Sequence, residues 1–213
     1  MIIRKIHNLL YPKLGKILML HSVNSPKLLE SLVSQCREEG YEPVCLDEAV
    51  RRFQKHDKRK YACFTFDDGY FDTYSIAYPT LEKMGVPFCV YMTRDFYRGV
   101  SQPVWDASAK MMNVEQLKKI SESQLCTIGV HTCTHPHLSV LTPEQQHCEI
   151  VDCKSDLEDL LGRRISHLAY PHGDYNQVTV KIVAELGFAT AVTTSGRHVR
   201  RDSKLLELDR VFV

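Results

Sequence analysis

Three short segments carry side chains able to do chemistry together: TFDDG at residues 65–69, HTCTHPH at 131–137 and AYPHGDY at 169–175. In the first, Asp67 and Asp68 are adjacent, and Gly69 permits a sharp turn directly behind them. Successive residues of an extended chain point to opposite sides, so both carboxylates reach one site only if the strand breaks there. Two close, unneutralised carboxylates repel each other unless a cation sits between them, so the pair asks for a metal. Asp-Asp-Gly also occurs in many turns and helix caps with no such role. In the second segment His131 and His135 stand four residues apart, a spacing that returns both side chains to one face of a turn or helix start. One carboxylate and two imidazoles leave a coordination position open for water, the stoichiometry of a catalytic zinc site. His137 is the spare, because Pro136 redirects the chain, and Cys133 alternates away from the two histidines toward the interior. The third segment bends at Pro171 and Gly173, so a backbone N–H there could polarise a carbonyl oxygen.

The segments must be held by something, and the hydropathy pattern supplies it. Short apolar runs at 16–21, 61–66, 87–92, 126–131, 167–170, 189–193 and 211–213 alternate with helical patterns at 26–36, 46–53, 73–84, 114–121, 142–161 and 177–186. Three helices stop at glycine, at Gly85, Gly162 and Gly187. Continuous apolar strands with crossover helices imply parallel pairing, and therefore an open α/β sheet or a barrel. Ligands in such folds collect at the carboxyl ends of the strands. His21, Asp67, Asp68, His131, His135 and His172 all stand just behind an apolar run, so four strand ends deliver polar groups to one rim. The stretch 93–113 has weak periodicity and holds the single tryptophan, Trp105, which makes it a candidate loop over that rim.

Composition narrows the class further. A chain of 213 residues that is 44% hydrophobic and 25% charged, with a formal charge of +1, has the make-up of an ordinary globular domain. Disorder and a nucleic-acid footprint are poor readings, and the basic run from Arg51 to Lys60 reads as a solvated helix end and loop. One domain over 1–213 is the economical organisation, since no linker, repeat or low-complexity tract divides it. The eight cysteines form no CxxC pair and several lie inside apolar runs, as small buried thiols in a reducing compartment do. No run reaches the roughly twenty apolar residues that span a bilayer. The opening residues 1–14, with Ile2, Ile3, Ile6, Leu9 and Leu10, form a mildly basic amphipathic segment that either packs on the domain or touches a membrane surface. The expected location is cytoplasmic, or peripheral on the cytoplasmic side of a membrane.

TFDDG, HTCTH and AYPHG, in that order and each at a strand end, resemble the polysaccharide deacetylase family of metal-dependent carbohydrate esterases, and the resemblance runs from His21 onward. It implies an α/β fold, a distorted, TIM-like (β/α) barrel with fewer than eight complete units. It also implies removal of N-acetyl groups from an N-acetylated sugar or glycan such as one built on N-acetylglucosamine. In that family the first aspartate is the general base, here Asp67. The second binds the metal with the two histidines, here Asp68, His131 and His135. The metal is zinc in most members, with cobalt, nickel or manganese as substitutes. The oxyanion would sit between the metal and the backbone N–H of His172. A histidine acid protonates the departing amine. Many members carry that acid near the C-terminus, where this chain has only His198 in a polar segment. His21 fits instead, because some members resemble a circular permutation in which the corresponding strand opens the domain.

Two departures from the family pattern need replacements. Where many members place an arginine that tethers the base, this chain has Ala169. Arg210 is the expected substitute, because a guanidinium suits a bidentate carboxylate contact. The Asp-x-x-x-Trp motif that orients the acid is also missing, with Trp105 and Asp106 as candidates for a wall and a partner of His21. Amide hydrolysis of a non-sugar substrate is the nearest alternative within enzymes. A catalytically silent glycan- or metal-binding relative is the alternative outside them, although the presence of Asp67 argues against it.

Overall fold

The computed structural model describes residues 13–213 apart from Ala107; the amphipathic segment expected at the N-terminus therefore lies outside the described residues except for its last two positions. Among the described residues nine strands form one sheet, whose main path runs β7-β6-β5-β4-β3-β1-β8. Its parallel core comprises β1 (Lys13–Leu20), β3 (Tyr61–Phe66), β4 (Phe88–Met92), β5 (Cys126–Val130), β6 (His167–Ala169) and β7 (Thr190–Val192). The short β2 (Glu42–Pro43) pairs with the first two residues of β3, whereas β8 (Val199–Arg200) runs antiparallel to β1. The final β9 (Val211–Phe212) lies parallel to β1 at Leu18 and Met19. Just before it, Leu208 takes the Ala191 carbonyl and gives its own carbonyl to Thr193 of the β7 edge, each at 2.9 Å. The C-terminal segment therefore spans the gap between β7 and β1, and closes the sheet into the distorted barrel expected from the family pattern.

Helices cover the outside: α1 (Pro26–Glu38), α2 (Leu46–Gln54), α3 (Tyr78–Met84), α4 (Arg94–Tyr97), α5 (Val114–Ser121), α6 (Pro143–Leu161) and α7 (Gln177–Glu185). Their ends are written in the sequence. Thr142 with Gln145, and Asn113 with Gln116, make capping boxes that satisfy the first free amides of α6 and α5. Gly85 and Gly162 close α3 and α6 in the left-handed conformation. A π turn over Thr73–Ala77 precedes α3, where the periodicity predicts continuous α-helix.

Strand alternation divides the core in two. Leu18, Phe64, Phe66, Val90, Ile128 and Leu168 belong to the cluster under the helices. Ile17, Cys63, Cys89, Tyr91, Ala169 and Val192 fill the barrel interior with Leu208. Gly129 is required there, because a Cβ on it would stand 2.4 Å from the Tyr91 ring. All eight cysteines are free, and all but Cys45 and Cys148 are buried. No described helix is long and apolar enough to cross a membrane.

Candidate metal centre and active-site cleft

The two-residue period decides what reaches the carboxyl end of the barrel. Ile17 and Cys63 face the interior, Met19 and Thr65 continue their rows, and so His21 and Asp67 stand next in line as β1 and β3 end. His131 follows Gly129 at the end of β5 in the same way. These side chains line a cleft of about 350 Å³ with Asp68, His135, His172 and Trp105.

Asp68, by the same alternation, would turn under the helices with Phe66. Its φ of +69° breaks the strand and sends it the other way. Thr132 (φ +68°) and His135 (φ +62°) do the same for the loop behind β5, which is an irregular turn rather than a helix start. Non-glycine residues rarely hold such backbone angles, and they concentrate where a site requires them. Asp68, His131 and His135 can present ligand atoms that all lie within 4.8 Å of one another. The Nε2 atoms of His131 and His135 are 3.5 and 3.4 Å from Asp68 Oδ1. Ligands held at about 2.0–2.1 Å in a tetrahedron are themselves about 3.3–3.4 Å apart, so the spacing suits a shared cation.

The orphaned atoms point the same way. Both oxygens of Asp68 and Nδ1 of His135 are buried without a hydrogen-bond partner, a costly arrangement unless something else satisfies them. His131 Nδ1 meets the Ala169 carbonyl at 2.8 Å; that oxygen can only accept, so the proton sits on Nδ1 and Nε2 is left with its lone pair. Burial, followed by the charge of Asp67, pushes Asp68 up to about 8. Burial lowers His131 to about 4, and burial together with His131 lowers His135 to about 2. The donors are thus neutral imidazoles around a carboxyl group that lacks a counter-charge, and a divalent cation is the kind of group that would supply one.

Asp67 has the opposite surroundings. Burial would raise its pKa, but the Arg210 guanidinium outweighs this and holds the carboxyl at about 2. Arg210 is fully buried and bidentate, with Nη1 2.7 Å from Oδ1 and Nη2 2.6 Å from Oδ2. Its Nε donates to the Thr193 carbonyl at 2.8 Å, which locks the fork in place. The C-terminal crossing from β7 to β1 is what carries Arg210 into the barrel. Two adjacent aspartates are therefore separated by environment into one carboxylate that stays ionised and one that needs a cation.

The remaining residues sort as follows. His21 Nε2 is 3.9 Å from Asp67 Oδ2, on the open side of the cleft. His172 sits in a tight turn at φ +58°, and its carbonyl accepts from Thr194 Oγ1 at 3.2 Å. Its ring packs against His137 and His135, with centroids 4.0 and 4.4 Å away. His137 stays outside the trio, exposed and paired with Asp174. Cys133 is buried. Trp105 forms a wall, 4.6 Å from the His135 ring, with Nε1 donating to Tyr70 Oη at 3.0 Å. Asp106 does not partner His21: its carboxylate caps Ser108 within its own turn. His198 lies beside Tyr41, away from the cleft. The sequence pattern missed Tyr70 and Thr194, whose roles depend on contacts between distant loops. A buried histidine at the other end of the barrel, His167, is fully used by Thr190 and Asp47 and carries no site.

The polysaccharide deacetylase family pattern matches residues 54–191. This chain belongs to that family. It is 30% identical over 206 residues to YxkH of Bacillus subtilis (strain 168), whose own assignment as a polysaccharide deacetylase is provisional; the match covers 92% of this chain and 70% of that protein. Its fold is similar to the Streptococcus pyogenes deacetylase PplD, solved in complex with acetate. There the TM-score is 0.81 at 27% identity, over 95% of this chain and 93% of the other. IcaB from Ammonifex degensii shares the fold at a TM-score of 0.79 and 24% identity, over 94% and 92% of the two chains. The fold is thus common to these structures, and the arginine that fixes Asp67 here comes from the last four residues of the chain, beyond the residues 54–191 that the family pattern matches.

Proposed function

We propose that this polysaccharide deacetylase family member is a metal-dependent hydrolase that removes N-acetyl groups from an N-acetylated sugar or glycan. The observation that carries this reading is the division of labour between neighbours: Asp68 gathers with His131 and His135 into a set of orphaned ligand atoms, while Asp67 is kept ionised by Arg210. A bound divalent cation, zinc by the donor set, would supply Lewis-acid polarisation of the N-acetyl carbonyl and acidify water at the open position. Asp67 Oδ2, on the side of the carboxylate that faces His21, accepts a proton from the attacking water. Arg210 holds that oxygen at a fixed angle and keeps it unprotonated before attack. The backbone N–H of His172, in the left-handed turn, is the donor proposed for the developing oxyanion. His21 then donates a proton to the departing sugar nitrogen, which leaves as an amine. The acetate bound by PplD is the kind of product this chemistry releases, and supports the same reading here.

Purified protein should release acetate from N-acetylglucosamine oligomers with zinc present and stop when EDTA removes it. Asp67→Asn should remove the activity and leave one bound zinc per chain. Retained turnover in Asp67→Asn overturns the proposed mechanism.

A further inference from the structure

The proposed proton donor has an unusual support. His21 is 47% exposed, and among the described residues its ion-pair contact is Asp67 at 3.9 Å and no hydrogen bond holds its ring. A donor that must reach the leaving nitrogen needs its orientation fixed by something. The backbone on either side of it provides the answer. Leu20, before it, gives its carbonyl to the Asp67 amide at 2.9 Å, the last rung between β1 and β3. Ser22, after it, donates its hydroxyl to Asp72 Oδ2. Asp67 and Asp72 both lie on the loop that carries the base and the metal-binding carboxylate. Val23, fully buried, anchors the chain beyond, so the Ser22 bond sets the aim of the His21–Ser22 peptide rather than keeping the strand on the protein.

Asp72 makes a poor structural choice for that task. Its second carboxylate oxygen, Oδ1, is buried without a donor, a burden that stability alone would remove. It also stands at the head of the π turn, an irregularity that proteins concentrate near functional sites. We infer that Ser22 and Asp72 are positioning residues for His21: with the Leu20–Asp67 rung they clamp both neighbours of the imidazole to one loop, and fix the reach of the proton donor relative to the base. This rests on the N-deacetylase reading for its kinetic consequence but not for its geometry.

The test uses Ser22→Ala, Ser22→Thr and Asp72→Ala with two substrates and one spectroscopic signal. Sugar amide hydrolysis needs a proton on the leaving nitrogen; p-nitrophenyl acetate, with its good leaving group, does not. Ser22→Ala should lower kcat for acetate release from an N-acetylglucosamine oligomer about tenfold, a part of the roughly 10²–10⁴-fold that a positioned acid contributes, with KM within about twofold. Ester turnover and zinc content should stay within about twofold, Asp72→Ala should behave alike, and Ser22→Thr should recover most of the loss. By NMR, the single His21 ring resonance of the zinc-loaded wild type should broaden or split in Ser22→Ala. Equal losses on amide and ester, or an unchanged His21 resonance, overturn the inference. The ring signal needs no substrate. A wild-type protein that releases no acetate therefore counts against the N-deacetylase reading, while the ring signal still decides the positioning pair.

Discussion

Replacing Arg210 with methionine, which keeps most of the length and loses the charge, isolates what the guanidinium does. Two bonds of 2.7 and 2.6 Å to Asp67 disappear, and a fully buried carboxylate is left unpaired. Breaking one side of a buried ion pair costs about 3–5 kcal/mol. At about 2–4 °C per kcal/mol for a domain of this size, Tm should fall by about 6–20 °C. The second effect is on protonation, and Asp68 provides the internal comparison: an adjacent buried carboxyl, not bonded to the guanidinium, pushed up to about 8. Asp67 in the variant should move from about 2 in that direction. In the wild type its depressed pKa adds stability that is fully present above about pH 4 and is lost as the pH falls toward 2. In Arg210→Met that contribution reverses, and stability declines as the pH rises through neutrality. Acetate release, which Asp67 does not limit above about pH 4 in the wild type, should acquire an acid limb near neutrality and recover partly toward pH 9. Thermal unfolding and a pH–rate series with zinc content held constant measure both effects. An unshifted acid limb with near wild-type turnover would refute the assignment of Arg210 as the group that keeps Asp67 ionised.

Four further outcomes follow from the geometry. Metal-free wild type should lose stability as the pH rises from about 6.5 to 8, because the raised Asp68 carboxyl must ionise without a partner, whereas below about 6.5 the lowered His131 and His135 set the opposite slope. Asp68→Asn should flatten that slope and unfold at a higher temperature in EDTA at pH 8, by at least about 1 kcal/mol; parallel melting curves from pH 5 to 9 would contradict it. Zinc should raise the Tm of the wild type and leave that of Asp68→Asn unchanged. Gly173→Ala forces a methyl to within 2.1 Å of Thr194 Oγ1 at a φ of +66°, so it should cost about 1–3 kcal/mol and slow turnover by shifting the His172 turn; denaturant midpoints and kcat check it. Trp105→Ala removes a wall 4.6 Å from His135 and should raise KM more than it lowers kcat, as steady-state kinetics on an oligomer would show.

The parts of the site legible in the sequence are those that depend on a local pattern. TFDDG and HTCTH sit at the ends of apolar runs, and a run's end can be read without knowing its neighbours, so the strand ends and the ligand candidates fall where the pattern puts them. Strand β3 and helix α5 have the boundaries expected, because the first is apolar throughout and the second carries its own caps. What escaped depends on contacts across long separations. Strands β2 and β8, two residues each, exist only because β3 and β1 offer free edges. The partner of His21 is a case where local reasoning misled: Asp106 is next to Trp105 in sequence, yet its carboxylate turns back onto Ser108. Arg210 could be chosen by the chemistry of its side chain, but its approach to Asp67 depends on the C-terminal segment crossing from β7 to β1, which no periodicity in nine residues announces. Left-handed backbone at Asp68, Thr132, His135 and His172 was equally hidden, since propensity assigns such angles to glycine or asparagine.

Those left-handed residues explain how so few strands supply so many groups. Alternation delivers one inward side chain per strand end: His21 from β1, Asp67 from β3, His131 from β5. The proposed base, proton donor and three ligands need five, and two of those strand ends must each deliver a second. Continuing the strand would send the next residue under the helices, so the chain turns left-handed at Asp68 behind β3, and at Thr132 and His135 behind β5. Glycine at those angles would relieve strain of about 1–2 kcal/mol per residue, but it carries no carboxylate or imidazole. The strain is sustained because the barrel below is tightly filled by Tyr91, Ile17 and Val192, and because Arg210 ties the interior to the loop above. A rigid barrel carrying strained loops is the arrangement in which a cation releases the most: its binding would satisfy atoms that are already held in place and cannot relax away from one another.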